Sequence, residues 1–222
     1  MVDTEKKQES LNCVRIAGVI VNKYETEHMV KLTVAVTEPG IRGKVYTNYP
    51  TVYFFKNGKE RTTPVDNFRL HDTISLEGHL SSSRSRTLDG TQRTQQIVGD
   101  TASPIEYYRP NEIDGYKGRR VEIHRNIIKA TGVIEQITQK EHGITSLRLR
   151  VNGTRVRNLI EITTFGNIAK NAEVGDEITV YGRVATAKKE RNGTQLYYQD
   201  FVGIKITQEQ SEDVEENMFA DA

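Results

Sequence analysis

The chain has 222 residues, with 31 basic and 30 acidic side chains, a net charge of +1, a single cysteine and no tryptophan. That length suits two domains of roughly 100 residues each. No run of about 18 apolar residues exists, which excludes a transmembrane helix, and one cysteine excludes an internal disulfide and fits a reducing setting. The charge is segregated. From Thr207 onward there are six acids and no Lys or Arg, and the remaining body holds 31 basic and 24 acidic residues, a balance of +7. That pattern suits an anion-binding body with a solvated acidic tail.

Residues 1–11 are polar, lack a signal-peptide core and read as a disordered arm. Residues 12–103 form a first unit of five strands: Val14–Asn22, Val30–Val36, Thr51–Phe55, Thr73–Leu80 and Gln92–Gly99. The connection from Thr37 to Asn48 is long and holds Pro39, Gly40 and Gly43. The segment from Lys56 to Leu70 contains Pro64 and reads mostly as loop. Residues 104–126 read as a linker with a short ordered piece, carrying Pro104, Pro110, Gly115 and the basic stretch Lys117-Gly118-Arg119-Arg120.

Residues 127–206 form a second unit. Leu147, Leu149 and Val151 alternate with Arg148 and Arg150, the period-2 signature of a half-buried strand. Asn152-Gly153 fits a two-residue type I′ hairpin turn. The return strand then puts Val156, Ile160 and Ile162 on one face and Leu159, Glu161, Thr163 and Phe165 on the other. A short helix is expected over Asn167–Glu173, closed by Gly175-Asp176. Ile178–Val184 alternates again, and the Asn192-Gly193 turn leads into a last strand, Leu196–Ile206. Residues 207–222 are the acidic tail. In a reducing setting the Asn152 and Asn192 sequons read as turns rather than glycosylation sites.

The two units repeat one order of motifs. Val14-Arg15-Ile16-Ala17-Gly18-Val19-Ile20 matches Ile128-Lys129-Ala130-Thr131-Gly132-Val133-Ile134. Asp72–Gly78 matches Asp176–Gly182, and Asp89-Gly90-Thr91-Gln92 matches Asn192-Gly193-Thr194-Gln195. Such self-similarity marks one module used twice. Five strands with a short helix between the third and fourth is the order of an OB-fold, so the expectation is an all-β chain of two tandem OB barrels.

Candidate binding residues cluster by parity. Across a two-residue turn, Arg150 would oppose Arg155 and Arg148 would oppose Arg157. Like charges opposed across a ladder are destabilising, so such a cluster implies an anion to satisfy it. A solvated face with Glu161 and Glu135 nearby is the other reading. Phe165, with Tyr53 and Phe55 in the first unit, points outward; exposed rings beside cations are the parts that bind single-stranded nucleic acid. Phe165 and Phe55 as core residues capping a barrel end is the alternative. Tyr181 and Arg183 lie on the next strand. The hairpins between fourth and fifth strands carry Lys188, Lys189 and Arg191 in one unit, and Arg84, Arg86 and Arg93 in the other. The long loop adds Arg42, Lys44, Tyr46 and Tyr49. Of the adjacent Tyr197 and Tyr198 only one can face the groove; Tyr197 joins the stacking set.

The stretch Ile162-Thr163-Thr164-Phe165-Gly166-Asn167-Ile168-Ala169, followed by Gly175–Gly182 and Arg191–Gln195, resembles the single-stranded DNA-binding (SSB) proteins of bacteria and phages. The resemblance covers most of residues 127–206 and reaches residues 12–99 through the repeat. It implies that Phe165, and by correspondence Phe55, stacks on DNA. The family also stacks bases on tryptophan, and this chain has none; Lys188 and Arg84 stand where that tryptophan often sits. Two barrels on one chain resembles a phage or plasmid form, acting in the cytoplasm of a bacterium or of a phage's bacterial host. Family members end in an acidic segment with a hydrophobic tip that recruits replication and repair proteins, which implies a partner-binding role for Met218 and Phe219.

The five histidines are scattered, with no paired metal spacing. There is no P-loop and no Gly-x-Ser-x-Gly elbow. The reading is therefore no enzyme, no metal and no cofactor. The expected function is sequence-tolerant binding and protection of single-stranded DNA during replication, recombination or repair, as a monomer or homodimer. A tandem-OB protein adaptor and a single-stranded RNA binder remain as alternatives. Residues 111–206 carry a net +5 and residues 1–110 a net +2, so the second barrel is expected to be the main electrostatic binder and the first to add reach and stacking.

Overall fold

The computed structural model describes residues 12–39, 45–56, 61–87, 90–105, 108–110, 119–121, 125–151, 158–191 and 194–208. The side chain of Pro39 and those within 84–93, 108–121 and 188–197 are not described. The strands are β1 (Asn12–Glu25), β2 (Met29–Pro39), β3 (Val45–Asn48), β4 (Thr51–Phe55), β5 (Thr73–Thr87), β6 (Gly90–Pro104), β7 (Tyr108–Pro110), β8 (Arg119–Val121), β9 (Arg125–Lys140), β10 (Ile144–Val151), β11 (Asn158–Phe165), β12 (Glu177–Arg191) and β13 (Thr194–Gln208).

Pairing closes these strands into two rings. In the first, β1 pairs with β2, β2 with β4, β4 with β6 in parallel, β6 with β5, and β5 with β1. In the second, β9, β10, β11, β13 and β12 repeat that circuit, with β11–β13 as the parallel pair. A five-stranded ring closed by one parallel pair between its third and fifth strands is the OB barrel the sequence led us to expect. Alternation drives it: Val30, Leu32 and Val34 are buried on β2 and Leu147, Leu149 and Val151 on β10, while the residues between them face out. Gly78 and Gly182 sit where adjacent strands nearly touch. A Cβ on either would lie 2.2 Å from a carbonyl oxygen, of Val98 and Val202 respectively.

The barrels join edge to edge. β1 runs antiparallel to β9, with Asn12 opposite Ala130, Val14 opposite Ile128 and Ile16 opposite Asn126. Because Asn12 corresponds to Asn126 and Ile16 to Ala130, exchanging the barrels maps the pairing onto itself, an approximate two-fold. One continuous sheet, β13-β12-β9-β1-β5-β6, crosses the joint. Each barrel's last hairpin also docks on the other's open edge. Ser82 N donates to Asn158 Oδ1 at 2.9 Å and Asn158 Nδ2 to Leu80 O at 2.8 Å. Reciprocally, Thr186 N donates to Asn48 Oδ1 at 3.1 Å, Tyr49 N to Thr186 Oγ1 at 3.0 Å and Thr51 N to Gln199 Oε1 at 2.8 Å.

Three sequence expectations need correction. The segment after Phe165 is not a helix: residues 167–171 are turns, held by i→i+3 bonds from Lys170 N to Asn167 O and Ala172 N to Ala169 O. Such a segment is too short to repay helix nucleation, and only Ala169 is buried within it. In the first barrel the matching turn is anchored by Lys23, whose ammonium donates to Val65, Asp66 and Phe68 carbonyls at 3.0, 2.9 and 3.0 Å.

Second, the arginine hairpin has another register. Val151 pairs with Asn158, Arg150 with Leu159 and Arg148 with Glu161, which is not the register that a two-residue Asn152-Gly153 turn sets, so Arg148 and Arg150 do not oppose arginines. The observed pairing is slipped by two residues on each strand, which leaves every side chain on its expected face. It sets Leu147 against Ile162 and Leu149 against Ile160, and it opposes Arg148 to a carboxylate instead of a like charge.

Third, the hairpin-tip motifs match in sequence but not in position. Thr87 pairs with Gly90 and Arg191 with Thr194, so Asp89 occupies the place of Gly193, not of Asn192. The linker region contributes the small antiparallel pair β7–β8.

Candidate functional site

The outward side chains of β2 and β4 make one face of the first barrel. Lys31 lies opposite Tyr53 and Thr33 opposite Thr51. Lys31 Nζ sits 5.7 Å from the Tyr53 ring centroid, within cation–π range, and the two threonine hydroxyls are 3.5 Å apart. Phe55 ends the row and is 42 % exposed, which removes the reading of that ring as core.

The β12–β13 hairpin of the second barrel leans over this face and closes a cleft of about 850 Å³. Three tyrosines line it, Tyr49 and Tyr53 on one side and Tyr198 on the other. Lys31, Asn22, Gln95, Gln199, Thr33, Thr47, Thr51 and Thr186 supply its polar groups, and among the described residues no lining side chain is a carboxylate. Tyrosine offers apolar ring surface with a polar tip, and a lysine with hydroxyls and amides supplies donors for an anion. Chemically such a lining can take a flat ligand bearing negative charge.

The corresponding face of the second barrel differs. Phe165 is exposed there at 49 %, as the parity of β11 requires and again not as core. Further along that face the basic side chains have partners within the protein. Arg150 Nε lies 3.2 Å from Glu135, and Arg148 donates to Gln136. Glu161 accepts from Ser146 Oγ and has Lys140 Nζ at 3.6 Å. Glu135 and Glu161 share the face of Arg148 and Arg150, the neighbours named in the solvated-face reading. Arg183 is also engaged: its Nη1 lies 3.0 Å from Glu38 Oε2, bridging the barrels.

Tyr181 lies apart from the cleft, outward on the long sheet in register with Lys129 and Lys205, with Lys129 Nζ 5.9 Å from its ring centroid. Tyr46 is exposed on β3, next to the cleft-lining Thr47 and three residues from Tyr49. Arg42, Lys44, Arg155, Arg157, Met218 and Phe219 lie outside the described residues. Arg84, Arg86, Arg93, Lys188, Lys189, Arg191 and Tyr197 have their backbone placed on the β5–β6 and β12–β13 hairpins, and their side chains lie outside the description.

The sequence reading missed Lys31, Thr33, Gln95 and Gln199, and of the adjacent Tyr197 and Tyr198 it chose Tyr197, whereas Tyr198 lines the cleft. For Lys31 and Thr33 a signal existed, since they alternate with buried Val30, Leu32 and Val34. On the far side of the first barrel, His79 Nδ1 meets Asp100 Oδ2 at 2.9 Å; that hydrogen bond outweighs burial and raises the imidazole above its ordinary pKa. Asp72 and Asp176 are turn residues: their carboxylates accept from Arg69 N at 2.7 Å and Glu173 N at 2.8 Å.

No protein-family model matches the sequence, and no curated protein matches it. Solved structures do. A deletion mutant of the single-stranded DNA binding protein from Thermus aquaticus, which also carries a point substitution, aligns with a TM-score of 0.62 at 15% identity, over 93% of this chain and 98% of that one. The wild-type Thermus aquaticus protein aligns with a TM-score of 0.61 at 14% identity, over 89% and 92%. The chain thus has the fold of the Thermus aquaticus single-stranded DNA binding protein, along nearly the full length of both.

Proposed function

We propose that the chain binds single-stranded DNA with little sequence preference and protects it, without catalysis. The observation that carries this reading is the cleft lined by Tyr49, Tyr53, Tyr198 and Lys31, set in a fold shared with a single-stranded DNA binding protein. Bases stack on the rings, and basic side chains neutralise phosphates. Replication, recombination and repair are the processes that present such strands. The acidic tail, with Met218 and Phe219, is proposed to recruit partner proteins, and two chains are proposed to pair as a homodimer.

Titration of oligo-dT at several salt concentrations, with light scattering for mass, tests the reading. The expected result is tight binding whose logarithm falls linearly with the logarithm of salt, because phosphate contacts release counterions. Tyrosine fluorescence reports binding directly, since the chain has ten tyrosines and no tryptophan. Preference for duplex, or no binding, overturns it. Tighter binding of rU than of dT oligomers of equal length reassigns the protein to RNA.

A further inference from the structure

Asn48 and Asn158 stand at matching positions, Asn48 opposite Val36 and Asn158 opposite Val151. Each is buried where the other barrel's last hairpin docks, and each uses its Oδ1 in the same way. Thr186 N donates to Asn48 Oδ1 at 3.1 Å, and Ser82 N donates to Asn158 Oδ1 at 2.9 Å. Their amide nitrogens differ in what they meet. Asn158 Nδ2 donates to a backbone carbonyl, Leu80 O, at 2.8 Å. Asn48 Nδ2 donates instead to a carboxylate, Glu38 Oε2, at 2.9 Å.

That carboxylate is shared between the barrels. Arg183 Nη1, from β12, donates to the same Oε2 at 3.0 Å, and most of the Glu38 side chain is buried. A hydrogen bond to an ionised acceptor is shorter and stronger than one to a neutral carbonyl. Asn48 is thus held by β12 twice, directly at Oδ1 by Thr186 and through Glu38 by Arg183. The set continues to the cleft. Thr186 Oγ1 accepts from Tyr49 N at 3.0 Å. Gln199, paired with Thr186 across the hairpin, accepts from Thr51 N at 2.8 Å. Tyr49, Thr51, Thr186 and Gln199 all line the cleft.

We propose that Glu38 and Arg183 are positioning residues for the cleft: through Asn48 they fix the β12–β13 hairpin across the first barrel, and Arg183 serves there instead of on phosphate. This rests on the single-stranded DNA reading above. It reassigns a basic residue that the sequence placed among the phosphate contacts. It also fixes an unusual sign. Removing a carboxylate close to the path of a polyanion strengthens binding on Coulombic grounds alone. Removing Glu38 instead frees Asn48 and Arg183, loosens the hairpin and weakens binding.

The test uses the full chain. Glu38→Ala is expected to weaken oligo-dT binding about fivefold, the size of one lost hydrogen bond. Arg183→Ala is expected to weaken it equally, with the slope against salt unchanged, because no phosphate contact is lost. The double variant is expected to lose no more than either single one, since both act through one network. Glu38→Gln keeps an acceptor and is expected to retain most of the affinity. Amide hydrogen exchange reads the positioning directly. In Glu38→Ala the Thr186, Tyr49 and Thr51 amides are expected to lose protection, while Ser82 N in the mirrored contact keeps it.

Tighter binding by Glu38→Ala overturns the proposal. So does a salt slope lowered by about one in Arg183→Ala, which returns that side chain to phosphate. Equal loss of protection at Ser82 means general destabilisation and overturns it as well. Absence of binding by the unaltered chain overturns the functional reading; hydrogen exchange, which needs no DNA, then decides alone whether Glu38 and Arg183 hold the hairpin.

Discussion

His79 shows how a single residue can tie stability to pH. Its hydrogen bond to Asp100 crosses β5 and β6 at 2.9 Å and raises the imidazole pKa in the folded state. A group raised on folding contributes fully below its unfolded value, about 6.5, and loses that contribution as pH rises through the folded value. Melting temperatures measured from about pH 6 to about pH 9 should therefore fall for the unaltered chain relative to an Asp100→Asn variant, with the difference closing at the alkaline end. A constant difference across that range would contradict the assignment. Nothing in the sequence flagged this pair, since the histidines appear scattered and the partner lies on another strand. The exposed rings were easier to read. Phe55 and Phe165 follow from alternation alone, whereas Tyr198 and Gln199 enter the cleft only because a hairpin from one barrel crosses to the other.

At the scale of strands, the β-barrel order could be read because a period of two and repeated glycines survive in both copies. Registers could not be read to the same depth. The pairing expected for β10 and β11 and the one observed put identical side chains on identical faces, so hydrophobic pattern does not separate them. Opposed charges and the docking of Asn158 against Leu80 and Ser82 do. The glycines themselves are predicted to be intolerant. A methyl group at Gly182 meets the Val202 carbonyl at 2.2 Å, which is backbone and cannot rotate away. Gly182→Ala should force β12 from β13 and cost about 2 kcal/mol or more, as overpacking does, visible as a lower calorimetric melting temperature. An unchanged melting temperature would mean that the hairpin shifts freely.

For the molecule as a whole, the joint decides how the halves behave alone. β1 and β9 pair along six residue pairs from Asn12–Ala130 to Ala17–Arg125, so cutting the chain between the barrels bares a strand edge on each. Bare edges seek partners. Each isolated half should therefore self-associate through that edge, seen as a dimer by light scattering, while the intact chain melts in one cooperative transition. Monomeric, independently melting halves would contradict this. The same two-fold has a consequence for a ligand with direction. Nucleic acid runs 5′ to 3′, and a rotation of half a turn reverses that sense. One strand passing straight across both barrels would enter the second face backwards relative to the first. A strand that met matching positions of both faces in the same sense would therefore have to turn round between them.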